Sequence, residues 1–211
     1  MKLKRKELDK HISDAVKERL KKYGYKRRNI NLFKKQGDYF VTIVIFATGM
    51  DNNMIQVWGE VKPYIFDDIF WKVFQMEENL EQPMGLRANG AFTVRGLEIY
   101  DQYQEVQSYD EVEGYVDEML RNCDEAIMAL INRIGSDFHA FLEYSKGVGQ
   151  PGLYDYALCK MLLDIKEENY QDARDLAIDE IKNHRHGDFA NMGKYIYEYV
   201  VDFCEERIRE G

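Results

Sequence analysis

The chain has 211 residues, 45% of them hydrophobic and 13% aromatic, which is enough apolar surface for one large or two small folded domains. Three prolines and the lack of a polar low-complexity tract exclude a disordered chain, and no apolar run reaches the length of a membrane span. The net charge of -9 conceals a segregation: residues 1–35 carry 14 Lys/Arg against 4 Asp/Glu, and residues 36–211 carry 15 against 34.

Leu8, Ile12, Val16, Leu20 and Tyr23 recur at helical spacing and Gly24 follows as a stop, which predicts a helix over residues 3–23. Next come "YKRRNINLFKK", the turn "QGD" and Tyr39 to Ala47, a run β-branched or aromatic on both faces, as in a central strand covered on both sides. After "GMDNN", the stretch "MIQVWGEV" alternates, and Pro63 closes it because proline cannot donate a ladder hydrogen bond. These segments predict a three-stranded antiparallel meander behind a helix. Asn89-Gly90 signals a further hairpin, with a kinked strand around Gly96.

Between them lies "VKPYIFDDIFWKVFQME". Phe66, Phe70 and Phe74 share one helical face, and Asp67 and Asp68 sit in the first turn, where acids complement the helix dipole. Lys72 is placed to pair with Asp68. Adjacent helical residues diverge by about 100°, so the two aspartates are not expected to face a common point.

From Ser108 the pattern is helical. "SYDE" is a capping box, and Tyr109 to Ile134 hold the period for some 26 residues. Further helices are expected near 137–145, 153–166, 169–184 and 188–209, the last marked by Phe189, Met192, Ile196, Tyr199 and Phe203. Tyr170, Ala173 and Ala177 have the small-residue spacing that lets antiparallel helices approach closely. The fold class is therefore α+β: an N-terminal helix with an antiparallel meander and hairpin sheet over 1–106, then a helical half over 107–211, either a domain or a cover on the sheet. A pocket lined by Trp58, Tyr64 and Trp71 is expected between them.

Several chemical motifs fail on context. "GVGQPG" at 147–152 reads G-x-G-x-x-G, but a helical pattern precedes it where a dinucleotide fingerprint needs a buried strand. "HRHGD" offers His184, His186 and Asp188 at the end of a helix, with no further Cys or His nearby, and reads as dipole-favoured cations more readily than as a metal site. Cys123, Cys159 and Cys204 are odd in number and widely spaced, as buried thiols are in a reducing compartment. No catalytic residue, cofactor or metal is assigned. The basic segment Lys21, Lys22, Lys26, Arg27 and Arg28, interleaved with Tyr23 and Tyr25, could bind nucleic acid; neutralisation by the chain's own acids is favoured.

The run "LKKYGYKRRNINLFKK", with its Gly-aromatic-Lys step between a helix and an aromatic-rich strand, resembles uncharacterised bacterial domains of unknown function over residues 8–75. The resemblance implies a bacterial protein and brings no catalytic residues; a cytoplasmic location is expected because no apolar stretch follows the basic N-terminus and the cysteines read as buried thiols. Small acidic α+β proteins of similar build look like immunity proteins, which neutralise cationic toxins. The expected function is a non-enzymatic interaction module that docks a basic protein through an acidic surface. The alternatives are an enzyme using Asp67, Asp68 and Glu60, and a nucleic-acid binder acting through the basic segment.

Overall fold

The computed structural model describes residues 4–49, 53–89, 92–148 and 154–210. The chain forms two compact units, residues 1–62 with 96–135 and residues 63–95 with 136–211. It therefore changes unit three times, whereas the sequence reading divides it once, at 106/107.

The first unit opens with α1 (Arg5–Tyr23), whose buried stripe is Leu8, Ile12, Ala15 and Val16. Gly24 ends it in the left-handed region, φ 71°, which only glycine enters without cost. The strands β1 (Lys26–Arg28), β2 (Asn31–Gln36), β3 (Tyr39–Thr48), β4 (Met54–Pro63) and β5 (Leu97–Glu105) form one sheet in that order. The pairs β1–β2, β2–β3 and β4–β5 are antiparallel. β3 is central, as its two-sided apolar character requires, and Tyr39 to Ile45 are all buried. Gln36 pairs with Tyr39 across Gly37-Asp38, so "QGD" is the turn expected.

Between β4 and β5 the register slips at Gly59/Glu60: Gly59 faces Tyr100 and Glu60 faces Glu98, leaving Ile99 as the extra residue. The bulge thus falls three residues beyond Gly96. The expected Asn89-Gly90 hairpin does not form as read. Leu86–Asn89 is a helical turn, α3, and among the described residues of this region only β5 joins the sheet; Gly90 and Ala91 lie outside the described residues. The capping box at Ser108 starts a short 3-10 turn, Tyr109–Glu111, which leads into α4 (Val112–Ile134). Met119, Cys123 and Ile127 line the buried face of α4.

The second unit begins at Pro63, which precedes α2 (Tyr64–Val73). Phe66, Phe70 and Phe74 are fully buried, as their spacing predicts. After Ser136 come α5 (Phe138–Gly147), α6 (Tyr156–Lys166), α7 (Tyr170–Lys182) and α8 (Ile196–Glu210). Ala173 and Ala177 on α7 are fully buried. The last helix starts later than 188, because β6 (Ala190–Asn191) and β7 (Lys194–Tyr195) pair as a small hairpin. Its turn residues Met192 and Gly193 have φ 46° and 79°, a double left-handed turn that a helix cannot contain. Met192 is consequently 90% exposed at the tip, whereas Phe189 is buried. Cys123, Cys159 and Cys204 are free and buried. Among the described residues no helix is long and apolar enough to cross a membrane.

A methyl group added at Gly59 would stand 2.4 Å from the Cys123 sulfur and 2.8 Å from Ile127 Cδ1. Gly59→Ala is expected to cost about 1–3 kcal/mol by forcing α4 off the sheet, read as a lowered midpoint in urea unfolding. Cys123→Ala in the same background should recover part of the loss.

Candidate functional site

In the first unit several cations of the basic end pair with acceptors of the same unit. Arg19, its side chain 14% exposed, donates to Asp117 Oδ1 and Glu113 Oε1, each at 3.0 Å, and to the Ala15 carbonyl at 2.9 Å. Lys22 reaches Asp117 at 3.3 Å. Lys34 reaches Asp124 at 2.6 Å, and the Tyr25 hydroxyl donates to the same carboxylate at 2.7 Å. Arg27 donates to Ser13 and to the Asn29 carbonyl. Burial lowers the pKa of its guanidinium. Lys21, Lys26 and Arg28 are exposed. Of the five cations singled out in the sequence, Lys22 and Arg27 are thus engaged within their own unit. That unit holds 17 Lys/Arg and 17 Asp/Glu and so carries no net charge. The second unit holds 12 against 21 and carries the whole net charge of -9.

The three aromatic candidates belong to different units. Trp58, half-buried on β4 of the first unit, meets Phe46 edge-on with ring centroids 5.3 Å apart. Tyr64 and Trp71 belong to the second unit and enclose Arg87, whose guanidinium carbon lies 3.9 Å from one ring centroid and 4.6 Å from the other. Arg87 is 6% exposed. It donates to the Tyr64 carbonyl at 3.1 Å, pairs with Asp67 at 3.5 Å, and makes a hydrogen bond to Asp68. Asp67, fully buried, also accepts the Val94 N–H at 2.9 Å, and Trp71 Nε1 donates to the Phe92 carbonyl at 2.6 Å.

Two sequence expectations are corrected here. Asp67 and Asp68 do meet at a common point, because a guanidinium fork is wide enough to take one carboxylate on each side. Asp68 pairs with Arg87, while Lys72 is exposed. Arg87 lies 19 residues beyond Asp68 in a stretch that reads as turn, and no periodicity marks it. Glu60, the third carboxylate of the enzyme alternative, belongs to the first unit.

A second feature of the helical unit is an open cleft of about 490 Å³ where α6 begins and α7 ends. Asp155 caps α6 by accepting the Leu158 N–H at 2.9 Å, and the Tyr197 hydroxyl from α8 stands 2.8 Å from both its oxygens. Burial pushes the Asp155 pKa up, against the opposing pull of the Leu158 and Tyr197 hydrogen bonds; the Asp188 and Glu180 carboxylates push it further up. Glu180 is taken by Arg185, which holds it with two nitrogens. Gly187, φ 75°, has no room for a side chain, since a Cβ would come 2.4 Å from Ile196 Cγ2. That contact seats the "HRHGD" loop against the start of α8. His186 Nδ1, shielded from solvent, has no hydrogen-bond partner among the described residues. His184 is exposed, and no group of three metal-ligating side chains converges among the described residues. "GVGQPG" follows helix α5, so the strand a dinucleotide site needs does not precede it; residues 149–153 lie outside the described residues.

Arg87→Ala is expected to destabilise the protein by about 3–5 kcal/mol by stranding a buried carboxylate. Arg87→Lys should recover little, since an ammonium cannot span both aspartates or stack between two rings; denaturant titration measures both. At Asp155 the folded carboxyl holds its proton to higher pH than the unfolded one, so ionising it costs stability. That cost is absent below the unfolded pKa and complete above the raised folded value. Asp155→Asn keeps the cap and an acceptor for Tyr197, and should melt no earlier than the parent at neutral pH, with the difference shrinking on acidification. Asp155→Ala loses both bonds and should cost about 2 kcal/mol.

No family model matches this chain, and no curated protein or solved structure matches it.

Proposed function

We propose that this protein is a non-enzymatic interaction module that docks a basic protein through the acidic surface of its second unit. The observation that carries the reading is the partition of charge. The first unit balances its cations against its own acids, and the excess of nine carboxylates falls on the second. On α7, Asp172, Asp175 and Asp179 are exposed along one face, with Arg174 offsetting Asp175. Exposed Glu205 and Glu206 add to the same sign on α8, where Lys194 offsets Asp202. A surface of one sign raises the encounter rate with an oppositely charged partner and rejects like-charged ones. An immunity-type neutraliser of a cationic protein is one role this chemistry fits.

The other two readings have less support. Asp67 and Asp68 are engaged by Arg87, which leaves a carboxylate enzyme without two of its three acids. Nucleic-acid binding would fall to Lys21, Lys26 and Arg28 on a unit with no net positive charge.

The test is fluorescence anisotropy with a labelled peptide rich in Arg and Lys, with duplex DNA as the competing probe. Binding should weaken as salt rises, and Asp172→Lys with Asp179→Lys should weaken it by about tenfold. DNA should bind neither form. Equal binding by the charge-reversed variant, or none by the parent at low salt, would refute the reading.

A further inference from the structure

The Arg87 cluster shows how the second unit holds an arginine: two carboxylates on the guanidinium edge and two aromatic rings on its faces. The cleft at the head of α6 assembles the same kinds of group around an open volume of about 490 Å³. Its acids are Asp155, Asp188 and Glu180; its rings are Tyr154, Tyr156 and Tyr197. A cation of the chain already lies over one of these rings, with Lys146 Nζ 5.3 Å from the Tyr156 centroid.

From this we infer that the cleft receives one arginine side chain of the basic protein docked by the second unit, an inference that rests on the reading above.

Each acid has to be weighed against its structural role. Glu180 is spent on Arg185, which leaves Asp155 and Asp188. Asp155 caps a helix, yet the Tyr197 hydroxyl has a single proton to share between its two oxygens, so acceptor capacity remains. Asp188 is exposed, and the cap of α6 is Asp155. The Asp188 carboxylate is close enough to raise the cost of ionising Asp155, and a guanidinium between them would relieve it.

Besides the acids, the lining residue His186 has a ring nitrogen, Nδ1, that is shielded from solvent and has no hydrogen-bond partner among the described residues. Shielded polar atoms without partners cost stability, so groups of this kind favour a ligand rich in donors. Arginine suits the cleft better than lysine because its planar fork can take both carboxylates and lie flat on a tyrosine ring.

The experiment titrates the ¹⁵N-labelled full chain with acetyl-Gly-Arg-Gly-amide and, in parallel, with its neutral citrulline counterpart. The arginine probe should move the amide signals of Arg185 to Asp188 and of Tyr197, and the citrulline probe should not. Asp188→Asn, at an exposed position, should weaken the arginine probe by at least about fivefold. Absent shifts, equal response to citrulline, or unchanged affinity in D188N would overturn the inference. The Arg- and Lys-rich peptide separates this from the docking reading. If that peptide binds D188N with undiminished, salt-sensitive affinity while the tripeptide leaves the cleft unmoved, only the cleft assignment falls. If neither probe binds, both fall.

Discussion

Arg19, held between Glu113 and Asp117, stands at the contact that governs where this protein's charge is felt. It joins α1 to α4, two helices separated by about 90 residues of sequence, and it is largely withdrawn from solvent. Lys34 and Tyr25 repeat the arrangement on Asp124. Exposed ion pairs contribute little, but a partly buried guanidinium with three acceptors would be costly to strip of its partners. With this seam in place the basic N-terminal end is not a free cationic arm. The unit that contains it carries no net charge, and the negative surplus lies on the helical unit.

Within that unit one chemistry recurs at two depths. Around Arg87 the carboxylates and rings are closed on a guanidinium of the chain itself, tying α2 to α3 and to the segment that carries Phe92 and Val94. At the cleft the carboxylates and rings face an open volume, with Arg185 clasped to one side by Glu180. The difference lies in local backbone. Arg87 is delivered from a short helical turn, whereas the cleft wall is a loop seated by Gly187 and followed by the β6–β7 hairpin.

The errors in reading the sequence share a cause. Asn89-Gly90 is a strong hairpin signal when two strands flank it, but the residues before it curl into a turn that brings Arg87 under α2. Phe189 and Met192 fit the helical period of α8, yet both precede it, since three spacings can arise by chance over a few residues. The pair Asp67 and Asp68 was legible as a helix start, and its partner was not. The cleft left a faint trace, the polar cluster "HRHGD", but Asp155 and Tyr197 meet there across 42 residues.

What the sequence determines by itself is what depends on neighbours in the chain: the period of α1, α2 and α4, the two-sided apolar strand β3, the capping box at Ser108, the stop at Pro63 and the imbalance of charge. These follow from backbone geometry and from side chains within a few positions of one another. Only the tertiary structure decides which carboxylate meets which cation, that α4 belongs with the sheet and α2 with the later helices, and that Asp155, Asp188 and His186 border one cleft. Those pairings join residues tens of positions apart, and an electrostatic contact depends on distance in space, which one-dimensional spacing does not encode.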